Sequence, residues 1–544
     1  MKDNINIAYF CMEYGLDESL PLYAGGLGVL AGDYLKAARE QNKSIIGIGL
    51  RWWQDYTTQH INETGQPYDT FPVHNPDCLQ DTETEVYVNI ENKKIKCKVW
   101  KVSCFNNNPL YLLDCGSPGT ENGWICDKLY GGNDRDRIAQ EIVLGIGGIK
   151  LIRKLKIPID IYHFNEGHAA FAGFELIREK IEGHNMKFKK ALKETRKEII
   201  FTTHTPVPAG NEEHDLDLLI KMSANNGLNR SEMEKLGGNP FNMTAACLHM
   251  AGLANGVSEL HGKTARKMWK DLTHKPPIIH VTNGIHLPTW QNKNIFKNKN
   301  NNNKLWQTHQ NAKKRLINYI KTQTNANINL DTLLIGFARR AAPYKRSELI
   351  FKDTEQIDNL LREKRIQLVF SGKAHPDDHY GKKIVSTLVA MDRKYKDSVV
   401  FLENYNMEVA HYLIQGCDVW LNNPRRPLEA SGTSGMKAAS NGVLNLSVLD
   451  GWVAEGIEHG TTGWILDRVH PELNDSLGED EKDLRALYRI LRKQVIPTYY
   501  GQKEKWIEMM KYSIEMAVKD FSARRMLTDY FQKMYEKTKL TTWV

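Results

Sequence analysis

At 544 residues the chain is too long for one ordinary hydrophobic core and points to two large α/β domains or three smaller ones, two being the expectation. With 41% hydrophobic and 25% charged residues it has the composition of a globular protein, which excludes disorder over most of its length. The formal net charge of +8 comes from Lys and Arg spread along the chain rather than gathered in a stripe, so it gives no support to a nucleic-acid partner and leans only weakly towards anionic ligands.

The chain opens Met1-Lys2-Asp3-Asn4 and runs directly into a strand-like stretch, without the apolar run of a signal peptide. The most apolar region, around Ile142 to Ile152, is broken by Lys150 and followed by Arg153, so no membrane span is expected and a cytoplasmic location follows as the default. In the first half, short branched runs at 5–10, 44–49, 159–164, 199–203 and 278–282 have the length of buried strands, and helical patterns separate them. That alternation is the signature of parallel sheets flanked by helices.

Tyr23-Ala24-Gly25-Gly26-Leu27-Gly28 precedes a helical stretch at 29–38. Glycines let backbone approach a ligand closely, and a helix N-terminus offers free N–H groups to an anion; the competing explanation is a turn kept for packing. Arg51-Trp52-Trp53 and Tyr56 could stack on sugar rings or simply pack, and His163, His168 and His204 sit beside strand ends where catalytic and structural roles are both open. The eight cysteines (Cys11, Cys78, Cys97, Cys104, Cys115, Cys126, Cys247 and Cys417) contain no C-x-x-C pair and read as reduced thiols, with no metal site expected.

The Asn- and Lys-rich run 291–304, which includes Asn300-Asn301-Asn302-Asn303, is too poor in apolar residues to order itself in a core and reads as a hinge or surface loop. Beyond it, strands are expected at 333–338, 367–371, 399–402, 418–421 and 443–447. The first of these leads into Arg339-Arg340-Ala341-Ala342-Pro343-Tyr344-Lys345-Arg346, four cations at the carboxyl end of a buried strand, where a doubly wound sheet binds its ligand. Guanidinium groups grip phosphate bidentately and a lysine acts as a movable point charge. Arg426-Pro427-Leu428-Glu429-Ala430-Ser431-Gly432-Thr433-Ser434-Gly435-Met436-Lys437 reads as a second anion cradle ahead of a helix. Lys437 is expected in that helix's first turn, where the dipole opposes a cation and a Schiff base with an aldehyde cofactor would remove the conflict.

These segments define α/β architecture with two Rossmann-like domains facing a cleft. The expected division is 1–295 for the first domain, 296–330 for a linker and helix, 331–480 for the second domain and 481–544 for helices packing across both.

The run from Asn423 through Glu429-Ala430-Ser431-Gly432-Thr433-Ser434-Gly435-Met436-Lys437 to Asp450-Gly451 closely resembles the pyridoxal-phosphate site of the glycogen and starch phosphorylase family. The resemblance covers most of the chain from Ile7 to about Gly456, through Leu22-Tyr23-Ala24-Gly25-Gly26, His163-Phe164-Asn165-Glu166-Gly167-His168, Thr202-Thr203-His204, Val281-Thr282-Asn283-Gly284, Ser371-Gly372-Lys373 and Phe401-Leu402-Glu403-Asn404-Tyr405. It implies the GT-B fold and reversible phosphorolysis of an α-1,4-glucan (glycogen, starch or maltodextrin) by inorganic phosphate to glucose 1-phosphate, with retention. By the same resemblance Lys437 holds pyridoxal 5′-phosphate, Gly432, Thr433 and Arg339 contact its phosphate, and Gly26 stands with this cofactor set. Arg340, Lys345 and the Gly25-Gly26 backbone bind the substrate phosphate, while Glu429, Asn283 and Gly432 hold glucosyl hydroxyls. The family's common homodimer is the expectation for assembly.

The match has departures. Animal and plant members carry a histidine where this chain has Gly252, and the chain is shorter than theirs, so control through a long N-terminal arm is not expected. The rival readings are a nucleotide-sugar-dependent transferase of the glycogen synthase type, which carries a glutamate where this chain has Lys437, and a glucan-binding homologue that has lost catalysis.

Overall fold

The computed structural model describes residues 5–466 and 476–540; Met1-Lys2-Asp3-Asn4, on which the reading of the chain's start rests, lies outside them. The chain divides into two compact units that are not consecutive in sequence. The first takes the chain up to Tyr56, Phe71–Asn283 and the described residues from Ala523 onward; the second takes Thr57–Thr70 and Gly284–Ser522.

The strands in chain order are β1 (Ile7–Phe10), β2 (Ile45–Leu50), β3 (Thr58–Ile61), β4 (Pro67–Thr70), β5 (Gln80–Ile90), β6 (Lys93–Val102), β7 (Leu110–Asp114), β8 (Ile161–Asn165), β9 (Ile199–Thr202), β10 (Glu213–His214), β11 (Phe241–Asn242), β12 (Leu253–Gly256) and β13 (Ile278–His280). In the first unit nine of them form one sheet in the order β13-β12-β9-β8-β1-β2-β7-β6-β5. Seven strands, β13 to β7, run parallel, and β6 and β5 extend one edge antiparallel. The parallel strands are buried because helices cover them, as the run Ile7-Ala8-Tyr9-Phe10, buried at every position, shows. In β6 lysines alternate with buried Ile95, Cys97 and Val99, the period-2 pattern of a strand with one wet face. Sequence reading did not pick up β5, β6, β7 or β12.

The second unit has β14 (Leu333–Ala338), β15 (Ile366–Ser371), β16 (Val399–Leu402), β17 (Val419–Asn422), β18 (Leu444–Ser447) and β19 (Gly463–Ile465) in the order β16-β15-β14-β17-β18-β19, all parallel. The order reverses between β14 and β17, and in such sheets a crevice for ligand opens beyond the carboxyl ends of the strands at that switch. The first sheet makes the same reversal between β1 and β8. Each unit closes its own core, around Phe10, Phe164 and Phe171 in the first and Phe337, Phe370, Trp464 and Trp506 in the second. The β3–β4 hairpin belongs to the second unit although it is encoded between strands of the first.

The Asn-rich run does not form a loop. Helices span Lys293–Asn298 and Asn302–Thr324, with the side chains of Asn292 and Asn301 accepting N–H bonds at their starts, and Ile295 and Leu305 buried beneath. Asparagine serves here as helix cap, the role its short acceptor suits, and two buried side chains anchor what composition alone read as unanchored.

The tail is helical, as its pattern suggests, and divides between the units. Helix Ala523–Tyr530 and the turns after it complete the first unit: Tyr530 Oη accepts from Asn255 Nδ2 at 3.2 Å and Tyr535 Oη meets His163 Nδ1 at 2.8 Å. Helix Ser476–Ile490, in the second unit, presents Glu479, Asp480 and Asp483 on one face to three arginines. Arg346 meets Asp480 at 3.0 Å and Asp483 at 2.6 Å, Arg426 meets Asp483 at 2.7 Å, and Arg425 meets Asp480 at 2.8 Å. Removing one partner from a buried ion network strands the others, so Asp483→Ala should lower the unfolding free energy by about 3–5 kcal/mol. A denaturation curve superimposable on the wild type would show that the network carries no such weight.

Candidate active site

In the second unit, β14 ends at Ala338 and delivers Arg339 and Arg340 directly beyond the sheet, while Lys345 returns on a short helical turn, Pro343–Lys345. Arg339 Nη2 lies 2.6 Å from Glu429 Oε2, and Lys345 Nζ is ion-paired with the same oxygen. Burial alone would push the Glu429 carboxyl up; Arg339 and Lys345 outweigh it and hold it at about 2, so Glu429 is an anion that only accepts hydrogen bonds. Arg339 keeps Nε and Nη1 buried without a protein partner. Two cations thus share one carboxylate, a surplus of positive charge that suits a phosphate.

Glu429 is itself positioned by Asp450, whose Oδ2 accepts the Glu429 N–H at 2.9 Å while Oδ1 accepts that of Gly451 at 2.8 Å. Burial pushes the Asp450 carboxyl up to about 7 against the lowering effect of those two N–H groups. Asp450 was quoted in the family motif without a role.

Helix Thr433–Ser440 starts at Gly432, which adopts φ 88°, a left-handed conformation that favours glycine, and no side chain caps it. The N–H groups of its first turn therefore remain for an anion, and buried Ser431 Oγ beside them has no protein partner. Lys437 lies in the last turn of this helix, not the first. The dipole there favours a cation, so the expected conflict does not arise. Its environment is distinctive for another reason: Lys437 is 7% exposed, and Nζ stands 3.7 Å from the centre of the Trp290 ring, itself stacked on His411. Arg346, the fourth cation of the segment, turns away to Asp480 and Asp483 and to the carbonyls of Asn423 and Pro424, so it is structural.

The first unit carries its own ligand end. The helix after the glycine loop begins at Gly26 and runs to Glu40, and the Ala24 and Gly25 N–H groups donate to Glu13 Oε2 at 2.7 and 3.1 Å. The glycines divide by purpose. A Cβ on Gly28 would stand 2.7 Å from Glu13 Oε2 and one on Gly32 2.1 Å from Gly15 O, whereas Gly25 and Gly26 have nothing within 4 Å. Packing explains the later pair and not the earlier, which borders open space. Asn283 is buried, its backbone held to Val257 O at 3.0 Å, and its Oδ1 has no protein partner.

Among the remaining candidates, His163 and Trp52 are held by partners within the protein. His163 lies between Thr202 Oγ1 at 2.7 Å and Tyr535 Oη at 2.8 Å, and burial pushes it down to about 3, so it is neutral. Burial also pushes His168 and His204 down to about 3. Trp52 is buried with Nε1 donating to Met12 O at 2.9 Å, and Arg51 lies over the Trp53 ring, so this stretch packs against itself. Gly252 donates its N–H to Ile199 O at 2.9 Å as β12 begins. Glu141, Glu212 and His214 bring ligand atoms within 4.8 Å of one another, the one such group among the described residues. Arg137 already holds Glu212 at 2.6 and 3.2 Å, a counter-charge that a metal ion would have to displace. Every cysteine is a free thiol. No helix among the described residues is long and apolar enough to cross a membrane.

A model of the carbohydrate phosphorylase family matches residues 289–462. The chain is 38% identical to maltodextrin phosphorylase of Thermococcus litoralis, over 98% of its own length and 70% of that protein's. It is 35% identical to glycogen phosphorylase of Aquifex aeolicus, over 98% of this chain and 86% of the relative, and 34% identical to glycogen phosphorylase of Mycobacterium tuberculosis, over 97% and 70%. The chain belongs to the carbohydrate phosphorylase family. Within it, the relatives quoted carry the names of α-glucan phosphorylases.

Asp450 supplies a test of the site's electrostatics. A carboxyl whose folded pKa of about 7 lies above its unfolded value of about 3.9 contributes stability that is present below the lower value and lost as pH rises towards the higher. The stability of the wild type relative to Asp450→Asn should therefore fall between about pH 4 and about pH 7. A difference that stays constant over that range would show that Asp450 does not titrate there.

Proposed function

We propose that the protein is an α-glucan phosphorylase that moves a terminal glucosyl unit from an α-1,4-glucan to inorganic phosphate, yielding glucose 1-phosphate with retention, and that it depends on pyridoxal 5′-phosphate. The observation that carries the reading is the pairing of Arg339 and Lys345 with Glu429 beyond the strands at the sheet's switch point, in a unit that also holds the buried Lys437.

The residues fit the cofactor on their own terms. Lys437 is a buried amine against an aromatic face, suited to hold an aldehyde; the uncapped helix start after Gly432, with Thr433, suits a phosphate, and so do the orphaned Nε and Nη1 of Arg339. Bound there, the cofactor supplies a second phosphate that exchanges a proton with the substrate phosphate.

The chain's own residues do the rest. Arg340 and Lys345 bind the substrate phosphate and stabilise the charge that builds as the glycosidic bond lengthens towards an oxocarbenium-like state. Glu429, ionised, accepts hydrogen bonds from glucosyl hydroxyls, and Gly432 holds a further hydroxyl. In the first unit the Gly25-Gly26 backbone faces open space in which a substrate group fits, and Asn283 Oδ1 is an acceptor for a glucosyl hydroxyl. The glycogen synthase reading is disfavoured because Lys437 is a buried amine where that class has a carboxylate.

Purified protein supplied with cofactor should absorb in the near ultraviolet to blue and release glucose 1-phosphate from maltodextrin, glycogen or starch only when phosphate is present. Lys437→Ala should lose both properties, and Arg340→Ala should raise the KM for phosphate by about tenfold or more, the worth of a charge-assisted bond. Full activity in the lysine variant would overturn the reading.

A further inference from the structure

We propose that Gln59, on the hairpin β3–β4, is a positioning residue for the anion-binding arm 339–341, acting through the segment 371–374; its meaning for catalysis rests on the phosphorolysis reading above. Beyond Ala338 and Ser371, the last paired residues of β14 and β15, the two chains stay in register. Arg339 N–H donates to Ser371 O at 3.2 Å and Ala341 N–H to Lys373 O at 3.0 Å. A Cβ on Gly372 would stand 2.6 Å from Arg339 O, so the backbones run against each other with no side chain between them. Segment 371–374 is thus the wall along which the arm is laid.

Gln59 grips the end of that wall. Its Oε1 accepts the Ala374 N–H at 3.0 Å, and its Nε2 donates to Asp69 Oδ1 at 2.9 Å and reaches Ala374 O at 3.4 Å. Lys373 Nζ donates to Thr57 O at 2.8 Å, and Asp69 is fixed in turn by Thr57 Oγ1 at 2.6 Å and Lys382 Nζ at 2.7 Å. Gln59 is 1% exposed, while the hairpin's outer positions Asp69 excepted are open or half-buried. A buried amide whose side-chain bonds end on Ala374 and on its own hairpin partner fixes that backbone in place. Arg339 and Arg340, one hydrogen-bonded layer away, take their placement from it.

The test compares Gln59→Leu, Gln59→Glu and the double swap Gln59→Glu with Asp69→Asn. Gln59→Leu removes all three side-chain bonds. Gln59→Glu keeps the acceptor for Ala374 but sets two carboxylates against each other, and the swap restores a donor by placing an amide at 69. In the holoenzyme, both single variants should raise the KM for phosphate about tenfold, the worth of a buried hydrogen bond, with the KM for glucan unchanged. Amide exchange across 337–345 should accelerate in step, and the swap should return both readouts towards wild type. Should Gln59→Leu fail to fold, Gln59→Glu and its swap make the same comparison.

Wild-type exchange and wild-type phosphate KM in a folded single variant would overturn the proposal, as would a loss that falls equally on both substrates and follows the melting midpoint. Faster exchange in a protein whose wild type forms no glucose 1-phosphate would uphold the positioning and overturn the phosphorolysis reading instead.

Discussion

Cations gathered at the end of one buried strand repel one another, and what holds Arg339 and Lys345 side by side is the carboxylate of Glu429. That carboxylate sits where burial disfavours charge, and it stays ionised because the two cations outweigh the loss of hydration. The rest of the second unit's ligand end is arranged around this balance. The reversal of strand order between β14 and β17 brings the cations and Glu429 to the same edge, and Asp450 steadies the Glu429 backbone.

Much of the fold was legible in the sequence because parallel strands covered on both faces are short branched runs bounded by turns. Each of the ten strands expected from such runs forms within two residues of its expected bounds. Two of the strands that escaped, β5 and β6, follow a different rule. The strand β6 alternates lysine with apolar residues, and β5 pairs with it in the exposed antiparallel edge, so neither shows a continuous apolar run. The Asn-rich stretch misled because composition weighs a window as a whole, while helix starts depend on single acceptors such as Asn292 and Asn301.

The site was legible in parts that carry unusual residue combinations. Glycines before a helix and cations after a strand were visible, and the structure separates Gly25 and Gly26, which border open space, from Gly28 and Gly32, which packing demands. Which of four neighbouring cations serve a ligand was not visible from residue type, although the family resemblance named Arg339, Arg340 and Lys345 and gave Arg346 no role. Arg346 is chemically equal to Arg339, and only the acidic face of the helix Ser476–Ile490, more than a hundred residues on, claims it for structure. Trp290 under Lys437 and Asp450 beneath Glu429 were hidden for the same reason: contacts across long sequence separations leave no local pattern.

The route of the chain through its two units has a consequence for how the protein is made. The second unit borrows Thr57–Thr70 from early in the chain, and the first receives Tyr530 and Tyr535 from near its end. During synthesis the first sheet emerges from the ribosome long before the tyrosines that complete hydrogen bonds to His163 and Asn255. Folding that proceeds unit by unit from the N-terminus, the usual order for nascent chains, therefore stops one step short here. The earlier unit waits with its polar interior incomplete until the helix Ala523–Tyr530 has been made, and neither unit is encoded by one uninterrupted stretch of the chain.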